Sequence, residues 1–149
     1  MLKSTLLHPQ ILEVLGRAGH GSKVLIADGN YPAATTLGPN ATLVSLNLAP
    51  GVVTCTQILT ALAAAIPIEA AAVMDYARTS SHALEADPPI WTQFREILRE
   101  TCGPADLERI ERFAFYRAAA QPDVCLAIAS ADQRIYANLM LTIGVVKAP

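Results

Sequence analysis

The sequence feature that most constrains the fold is an aliphatic run at residues 23–27, Lys-Val-Leu-Ile-Ala, between two polar segments. Its length suits a strand, and its apolar character is typical of a strand buried on both faces of a parallel sheet. The run follows Gly-His-Gly at residues 19–21 and leads into Asp28 and the loop sequence Gly-Asn-Tyr-Pro. Because ligands of open α/β sheets gather at the carboxyl ends of strands, the run predicts such a sheet with Asp28 at its ligand-binding edge.

His20, at the other end of the same run, has two interpretations. It can simply follow the glycine that ends the preceding helix, with Asp28 serving as a turn residue. Alternatively, both side chains belong to one site, provided that His20 reaches along the strand or across a subunit boundary. The residues themselves leave these alternatives open.

Helical and strand patterns alternate along the chain. Apolar residues three and four apart predict helices, and short apolar runs between loop residues predict strands. The predicted helices are residues 9–18, 54 or 56 to 65, 90–101 and 113–120, and the predicted strands are 23–27, 41–46, 69–75, 107–112, 124–130 and 136–146, with a polar irregular stretch at 78–89. This order predicts one α/β domain over residues 1–149, with three α/β/α layers around a mostly parallel central sheet.

The composition favours self-association. The chain of 149 residues is 52% hydrophobic and only 16% charged, so few charged side chains are available to cover its surface. Burying part of that surface between subunits would reduce the exposed apolar area, and we therefore expect a homo-oligomer.

Several classes of function are disfavoured. A net charge of −2 without a basic run argues against nucleic acid as a partner. The apolar segments are too short to span a membrane and no cleavage signal opens the chain, so we expect a cytoplasmic protein without membrane contact. The three cysteines and three histidines are scattered. They predict reduced, buried thiols and no metal site.

A few polar residues stand within apolar surroundings, while the glycine-rich nucleotide-binding motifs and the serine nucleophile elbow are missing. Arg112 and Tyr116 share a face if their segment is helical, and the alternative is a surface arginine beside a half-buried tyrosine. Tyr136 and Asn138 share a side if their segment is extended, and the alternative is a turn before a strand. Glu69 begins an apolar strand and either faces solvent at the sheet rim or points at a ligand.

Together with His20 and Asp28, these residues resemble a sugar site. Carboxylates and an amide can bind hydroxyl groups, and aromatic rings can cover the C–H faces of a sugar. A histidine can give and take a proton near neutral pH. The sequence therefore indicates a carbohydrate ligand.

Four motifs, in order along nearly the whole chain, resemble the ribose pyranase and fucose mutarotase family. They are Gly-His-Gly at 19–21 with Ile-Ala-Asp-Gly-Asn-Tyr-Pro at 26–32, Pro-Ile-Trp-Thr-Gln-Phe at 89–94 with Ile-Leu-Arg at 97–99, Ile-Glu-Arg-Phe-Ala-Phe-Tyr at 110–116, and Tyr-Ala-Asn-Leu at 136–139 with Gly-Val at 144–145. The two middle motifs resemble the fucose mutarotase branch in particular.

The resemblance implies an isomerase that needs no cofactor. Such an enzyme interconverts the cyclic forms of a reducing monosaccharide, either anomers or pyranose and furanose rings, by general acid/base ring opening. The resemblance also implies a ring-shaped homo-oligomer, often a decamer, with active sites where neighbouring subunits meet.

The resemblance also implies roles for individual residues. The proton donor falls on His20, and the second acid/base candidate is Tyr116, together with Glu69. The residues implied for substrate binding are Asp28, Arg112, Tyr136 and Asn138.

Two departures bear on the identity of the sugar. Glu69 stands where fucose mutarotases tend to have an aspartate, and Ser-Leu-Asn-Leu-Ala-Pro-Gly at 45–51 is closer to the ribose branch. We expect L-fucose or a related sugar, with ribose as an alternative. The other hypotheses for function are a non-catalytic sugar-binding subunit of a transport or regulatory system, and a structural α/β oligomer without a ligand.

Overall fold

The computed structural model describes residues 2–76, 84–103 and 106–147. Within these residues the order of elements is α1 (Pro9–Arg17), β1 (Lys23–Ala27), β2 (Thr42–Ser45), α2 (Cys55–Ala63), β3 (Ile68–Asp75), α3 (Pro89–Cys102), β4 (Leu107–Glu111), α4 (Arg112–Ala119), β5 (Val124–Ala129) and β6 (Leu139–Ile143). Much of the predicted irregular stretch 78–89 lies outside the described residues.

The six strands form one sheet in the order β2-β5-β1-β6-β3-β4. β5 runs parallel to β1 and β2, β3 runs parallel to β4, and β6 runs antiparallel to both β1 and β3. The prediction of a mostly parallel sheet is therefore confirmed. β6 is reversed because residues 130–138 before it contain no helix, and a parallel return needs a crossover of about a dozen residues or more.

Helices cover both faces of the sheet. In β1, Val24 and Ile26 pack into a core cluster with α1, α2 and α3, whereas Leu25 and Ala27 pack into a second cluster with α4. Successive strand residues point to opposite faces, so an unbroken aliphatic run can supply both cores. The predicted three-layer α/β/α architecture is confirmed.

Local sequence signals set the helix starts. Thr54 caps α2 through two reciprocal hydrogen bonds. The Thr54 hydroxyl accepts from the Gln57 backbone N–H (3.3 Å), and the Gln57 side-chain oxygen accepts from the Thr54 backbone N–H (2.9 Å). Pro89 opens α3 at a position where a missing N–H costs no helical bond. The Glu111 side chain caps α4 by accepting from the N–H groups of Phe113 and Ala114, so α4 starts at Arg112, one residue earlier than predicted.

The predicted strand 136–146 is wrong at both ends, since β6 spans only Leu139–Ile143. Tyr136 has a φ of 56°, in the left-handed region, so the chain is turning there instead of running extended. At the other end, Ile143 pairs with Ile68, the first residue of β3, and the neighbouring strand offers no later partner.

Some properties predicted for the cysteines differ in the structure. Cys55 is buried, but Cys102 and Cys125 are only half-buried, and all three are free thiols.

In the part of the chain that is described, no helix is both long and apolar enough to cross a membrane. The same residues contain no group of three or more His, Cys, Asp or Glu side chains that could hold a metal ion.

An ionic network centred on the buried Asp132 connects the loop after β5 to α2 and α3. The Asp132 carboxylate, 1% exposed, accepts from the Cys55 N–H (2.9 Å) and from Arg134 Nε (2.9 Å). Arg134 also donates to Thr56 (3.2 Å) and Gln93 (2.7 Å). Burial alone would favour the neutral carboxyl, but the hydrogen bonds from Arg134 and the Cys55 backbone outweigh burial and lower the pKa of Asp132.

Asp132→Asn is expected to lower the free energy of unfolding by about 2 kcal/mol at neutral pH, because it removes hydrogen bonds to a charged group. The folded-state pKa of Asp132 lies below its ordinary value of 3.8. The stabilisation is therefore present above that value and is lost as the pH falls through the folded-state pKa. Denaturant unfolding from about pH 7 to about pH 3 measures the free energy of unfolding of both proteins. The difference between wild type and Asp132→Asn should stay constant down to mildly acidic pH and then become smaller. An equal difference at neutral and at acid pH would contradict this prediction.

Candidate active site

A cavity of about 700 Å³ lies at the carboxyl end of β1, where the sequence predicts a ligand. Its volume falls within the range of small-molecule sites. The structure brings together five of the seven predicted site residues in its lining, namely Asp28, Arg112, Tyr116, Tyr136 and Asn138. Met74, Leu84 and Ile135 add apolar surface. The cavity therefore combines a few polar groups with aromatic and aliphatic walls.

Asp28 and Asn138 form a doubly hydrogen-bonded pair at the floor of this cavity. The Asp28 backbone N–H donates to Asn138 Oδ1 (2.9 Å), and Asn138 Nδ2 donates to Asp28 Oδ2 (2.9 Å). The other carboxylate oxygen, Oδ1, accepts from the Asn30 N–H (2.9 Å). These hydrogen bonds fix the orientation of the carboxylate beside the cavity.

Burial raises the pKa of Asp28, whose residue is only 5% exposed. The hydrogen bonds from the backbone N–H groups of Asn30, Ala137 and Tyr31 and from the Asn138 amide oppose this rise, because they favour the charged form. Asp28 is therefore a desolvated carboxyl group held in a fixed orientation, which suits it to recognise hydroxyl groups.

Arg112 and Tyr116 occupy the same face of α4, one turn apart, so the predicted helical spacing is confirmed. The guanidinium carbon of Arg112 lies 5.9 Å from the centroid of the Tyr116 ring. A hydrogen bond to Tyr116 is the main cause that raises the pKa of Arg112. The cavity therefore holds a cation beside a phenol.

Tyr136 lines the same cavity as Asn138, but the predicted alternation along a strand is not the reason. The left-handed turn at Tyr136 brings the two side chains to the cavity, and β6 starts only afterwards. The predicted residues thus lie in the cavity, but a turn and not an extended strand places them there. Sequence patterns rarely signal a left-handed tyrosine, because non-glycine residues seldom adopt that conformation.

Tyr31 is a cavity residue for which the sequence motifs predicted no role. Its ring centroid lies 5.4 Å from that of Tyr116 and 6.4 Å from that of Phe115. Burial raises the pKa of the Tyr31 phenol. An aromatic residue in the loop after the first strand was a usable signal, because loops at the carboxyl ends of strands form the ligand site.

His20 and Glu69 lie elsewhere. Glu69 Oε2 is 3.0 Å and Oε1 is 3.2 Å from His20 Nε2, and both side chains are largely exposed at the rim of the sheet. They lie at the amino ends of β1 and β3, and the five residues of β1, about 16 Å at 3.3 Å per residue, separate them from Asp28. His20 therefore does not reach along the strand to Asp28 within one chain.

A second cavity, of about 540 Å³, borders His20. Arg17, Ser22, Asn40 and Asp123 contribute its polar lining. It shares no lining residue with the cavity at Asp28. The seven predicted residues thus form two separate groups at opposite ends of one sheet.

Comparisons with known proteins agree with this fold. The chain is 30% identical over 149 residues to a fucose mutarotase of Danio rerio, covering 95% of this chain and 91% of that protein. It is 31% identical over 147 residues to a fucose mutarotase of Homo sapiens, covering 94% of this chain and 90% of that protein.

Solved structures give the same result. FucU from Bifidobacterium longum superposes with a TM-score of 0.79 at 33% identity, over 94% of this chain and 95% of that one. The fucose mutarotase from Streptococcus pneumoniae in complex with L-fucose gives 0.81 at 22% identity, over 99% and 100%. RbsD of Bacillus subtilis complexed with D-ribose gives a TM-score of 0.76 at 21% identity, over 99% of this chain and 100% of that one. The Streptococcus pneumoniae and Bacillus subtilis structures support the fold alone.

The family model described as the RbsD / FucU transport protein family matches residues 1–146. The match spans both groups of predicted site residues and all the strands of the sheet. The resemblance seen in the sequence motifs is therefore confirmed, and the chain belongs to the RbsD / FucU family.

Proposed function

We propose that this protein is a sugar mutarotase that interconverts the cyclic forms of a reducing monosaccharide without a cofactor. L-fucose or a related sugar is the favoured substrate, because the relatives that match nearly the whole chain are fucose mutarotases. The observation that carries the proposal is the cavity in which the Asp28–Asn138 pair, the Arg112–Tyr116 pair and Tyr136 converge.

The reaction needs two proton transfers and a rotation. A base removes the proton of the anomeric hydroxyl while an acid protonates the ring oxygen, the aldehyde rotates, and the steps reverse. Each positioned proton-transfer group contributes about 10²–10⁴-fold to the rate. Tyr116 is one such group, and the guanidinium of Arg112 lies beside its ring.

His20 is the other proton-transfer group, and it acts on the cavity of a neighbouring subunit. The two groups of residues lie at opposite ends of the sheet, and a head-to-tail contact between subunits would bring them together. Such contacts form a ring when the rotation between subunits closes. Exposed apolar residues beside the cavity, Phe113 and Ile135, support such a contact. A ring-shaped homo-oligomer, a decamer by the family resemblance, is the assembly that we propose.

Glu69 positions His20 for this role. A carboxylate on Nε2 favours the tautomer with the proton on that nitrogen, which leaves Nδ1 free to accept a proton from the sugar. Protonated Nδ1 then returns the proton to the sugar. Glu69 thus belongs to the catalytic group through its hold on the imidazole.

Subunit mixing tests the shared site. His20→Gln and Tyr116→Phe should each be nearly inactive, yet equal amounts refolded together should recover about a quarter of the wild-type exchange rate, since random neighbours give an intact pair in one site of four. Wild type refolded with the double variant should also give about a quarter, whereas a site within one chain would give about half. The rate is measured by NMR exchange between anomers, with light scattering to confirm assembly. An assembled mixture of the single variants that stays inactive would rule out the shared site.

The same NMR measurement separates an enzyme from a sugar-binding subunit without activity. A pure binder leaves the rate of exchange between L-fucose anomers unchanged, whereas a mutarotase raises it in proportion to protein concentration. Parallel measurements with D-ribose and D-galactose identify the preferred sugar. A rate equal to the buffer rate for every sugar, with binding present, would replace the mutarotase by the binding function.

A further inference from the structure

The backbone at Tyr136 is held in an unfavourable conformation at the edge of the sugar cavity. Among the described residues, Tyr136 is the one non-glycine residue with a positive φ, 56°. Such a conformation persists only when the surrounding structure holds it, and it often marks a functional site. The contacts of Tyr136 therefore show which residues maintain the cavity wall.

Trp91, in the first turn of α3, makes the decisive contact. Its indole Nε1–H donates to the Tyr136 carbonyl oxygen at 3.0 Å. Trp91 is fully buried, and the guanidinium carbon of Arg109 lies 5.0 Å from the centroid of its ring. Tyr76 packs between the two aromatic residues, with ring centroids 5.9 Å from Trp91 and 5.9 Å from Tyr136. The indole is thus fixed and presents its N–H to the turn.

The turn that Trp91 holds carries the groups that define the cavity floor. The Asn138 amide donates to Asp28 Oδ2 at 2.9 Å, and Ala137 and Asn138 directly follow Tyr136 in the chain. The Tyr136 side chain lines the cavity directly, whereas Trp91 does not line it. A change in the backbone at residue 136 would therefore move the Tyr136 side chain and the hydrogen-bond partners of Asp28 together.

We propose that Trp91 is a positioning residue for sugar binding, because its indole N–H holds the left-handed turn at Tyr136 and thereby sets the geometry of the Asp28–Asn138 pair. This proposal rests on the proposed function, in which the cavity binds the sugar. Trp91 touches no substrate, so its loss affects affinity and leaves the proton-transfer groups in place.

Trp91→Phe removes the N–H donor and keeps an aromatic ring. We expect the Kd for L-fucose and the KM to rise about tenfold, while kcat stays within about twofold of wild type. The matched control is Phe94→Leu, which reduces a fully buried aromatic residue on the same helix whose side chain has no donor for the Tyr136 carbonyl. This control should lower Tm but leave Kd and KM within about twofold. An equal rise in Kd for both variants, or a loss of Tm without a rise in Kd for Trp91→Phe, overturns the proposal.

A double variant tests the left-handed turn itself. Glycine adopts a positive φ without help, so adding Trp91→Phe to Tyr136→Gly should change Kd by less than about twofold. A further tenfold rise in that background would mean that Trp91 acts by another route, and the proposal would fail.

The wild-type protein offers a measurement that does not depend on the variants folding. Trp91 is the single tryptophan of the chain, so the ¹⁵N-labelled protein has one indole N–H signal. Saturating L-fucose should shift this signal, because the sugar contacts the turn whose carbonyl accepts the indole proton. Binding detected by calorimetry without a shift overturns the positioning role. A wild-type protein that binds none of the sugars would instead refute the proposed function, which keeps the two failures distinct.

Discussion

His20→Gln is expected to slow anomer exchange by about 10²-fold or more, while the assembly and sugar binding remain. Glutamine keeps hydrogen-bonding groups but cannot give and take a proton near neutral pH. His20 is largely exposed and bonds only to Glu69 among the described contacts, so the substitution removes little folding energy. The change should therefore appear in kcat and not in Tm.

His8→Gln is the matched control. His8 caps α1 by accepting from the Ile11 N–H (3.4 Å), so its loss is expected to lower stability by at most about 1 kcal/mol. Its exchange rate should equal that of wild type. A variant that exchanges anomers at nearly the wild-type rate would remove His20 from the mechanism and leave Tyr116 as the leading proton-transfer group.

Asp28→Asn is expected to raise the KM for the sugar by up to about 10²-fold, because hydrogen bonds to a charged acceptor contribute roughly 1.5–3 kcal/mol. The amide also turns one acceptor into a donor that faces either the Asn30 N–H or the Asn138 amide. The orientation of the pair is then lost together with the charge. Because ground state and transition state share these contacts, kcat should change much less than KM.

The pH dependence of affinity follows from the raised pKa of Asp28. As the pH falls through that pKa the carboxyl becomes neutral, so affinity should begin to fall at a higher pH than an exposed aspartate would give. In Asp28→Asn this fall in affinity at low pH should be absent. Glu13→Gln, which removes an exposed carboxylate paired with Arg17 at 3.1 Å, should retain both the wild-type KM and its pH dependence. A KM for Asp28→Asn within about threefold of wild type would contradict the binding role of Asp28.

Stability responds to Asp28 in the opposite sense. A carboxyl whose folded-state pKa is raised destabilises the folded protein above that pKa, because the charged form is desolvated. Asp28→Asn removes this penalty, but its new amide N–H₂ group faces either the Asn30 N–H or the Asn138 amide, both of which are also donors. The two effects oppose each other, so the change in Tm should be smaller than the change in KM. A large KM effect with a small Tm effect would mark Asp28 as a binding residue and not a core residue.

The order of helices and strands was predictable because its signals are local. The run of β1 lies between polar segments, and α1 shows its apolar spacing directly. The four-residue spacing of Arg112 and Tyr116 placed both on one face of α4, as predicted. In each case the physical cause, side-chain periodicity against a core, acts over a few residues and can be seen in the sequence.

The assembly of the candidate site required the tertiary structure. Asp28 and Asn138 are 110 positions apart, and only the pairing of β6 beside β1 makes them hydrogen-bonding partners. The left-handed turn at Tyr136 depends on long-range packing against Trp91, which no local pattern encodes. The sequence likewise placed His20 and Asp28 at the two ends of one strand, but their separation follows from the rigid length of β1.

The sequence by itself thus determined the fold class, the family motifs and the chemical types of the site residues, because composition and periodicity are properties of short segments. The tertiary structure decided which of those residues meet. It joined Asp28, Asn138, Arg112, Tyr116 and Tyr136 around one cavity and kept His20 with Glu69 at the opposite end of the sheet. The physical reason is that distances between remote residues are set by strand order and by the packing of helices on the sheet, which depend on the whole chain at once.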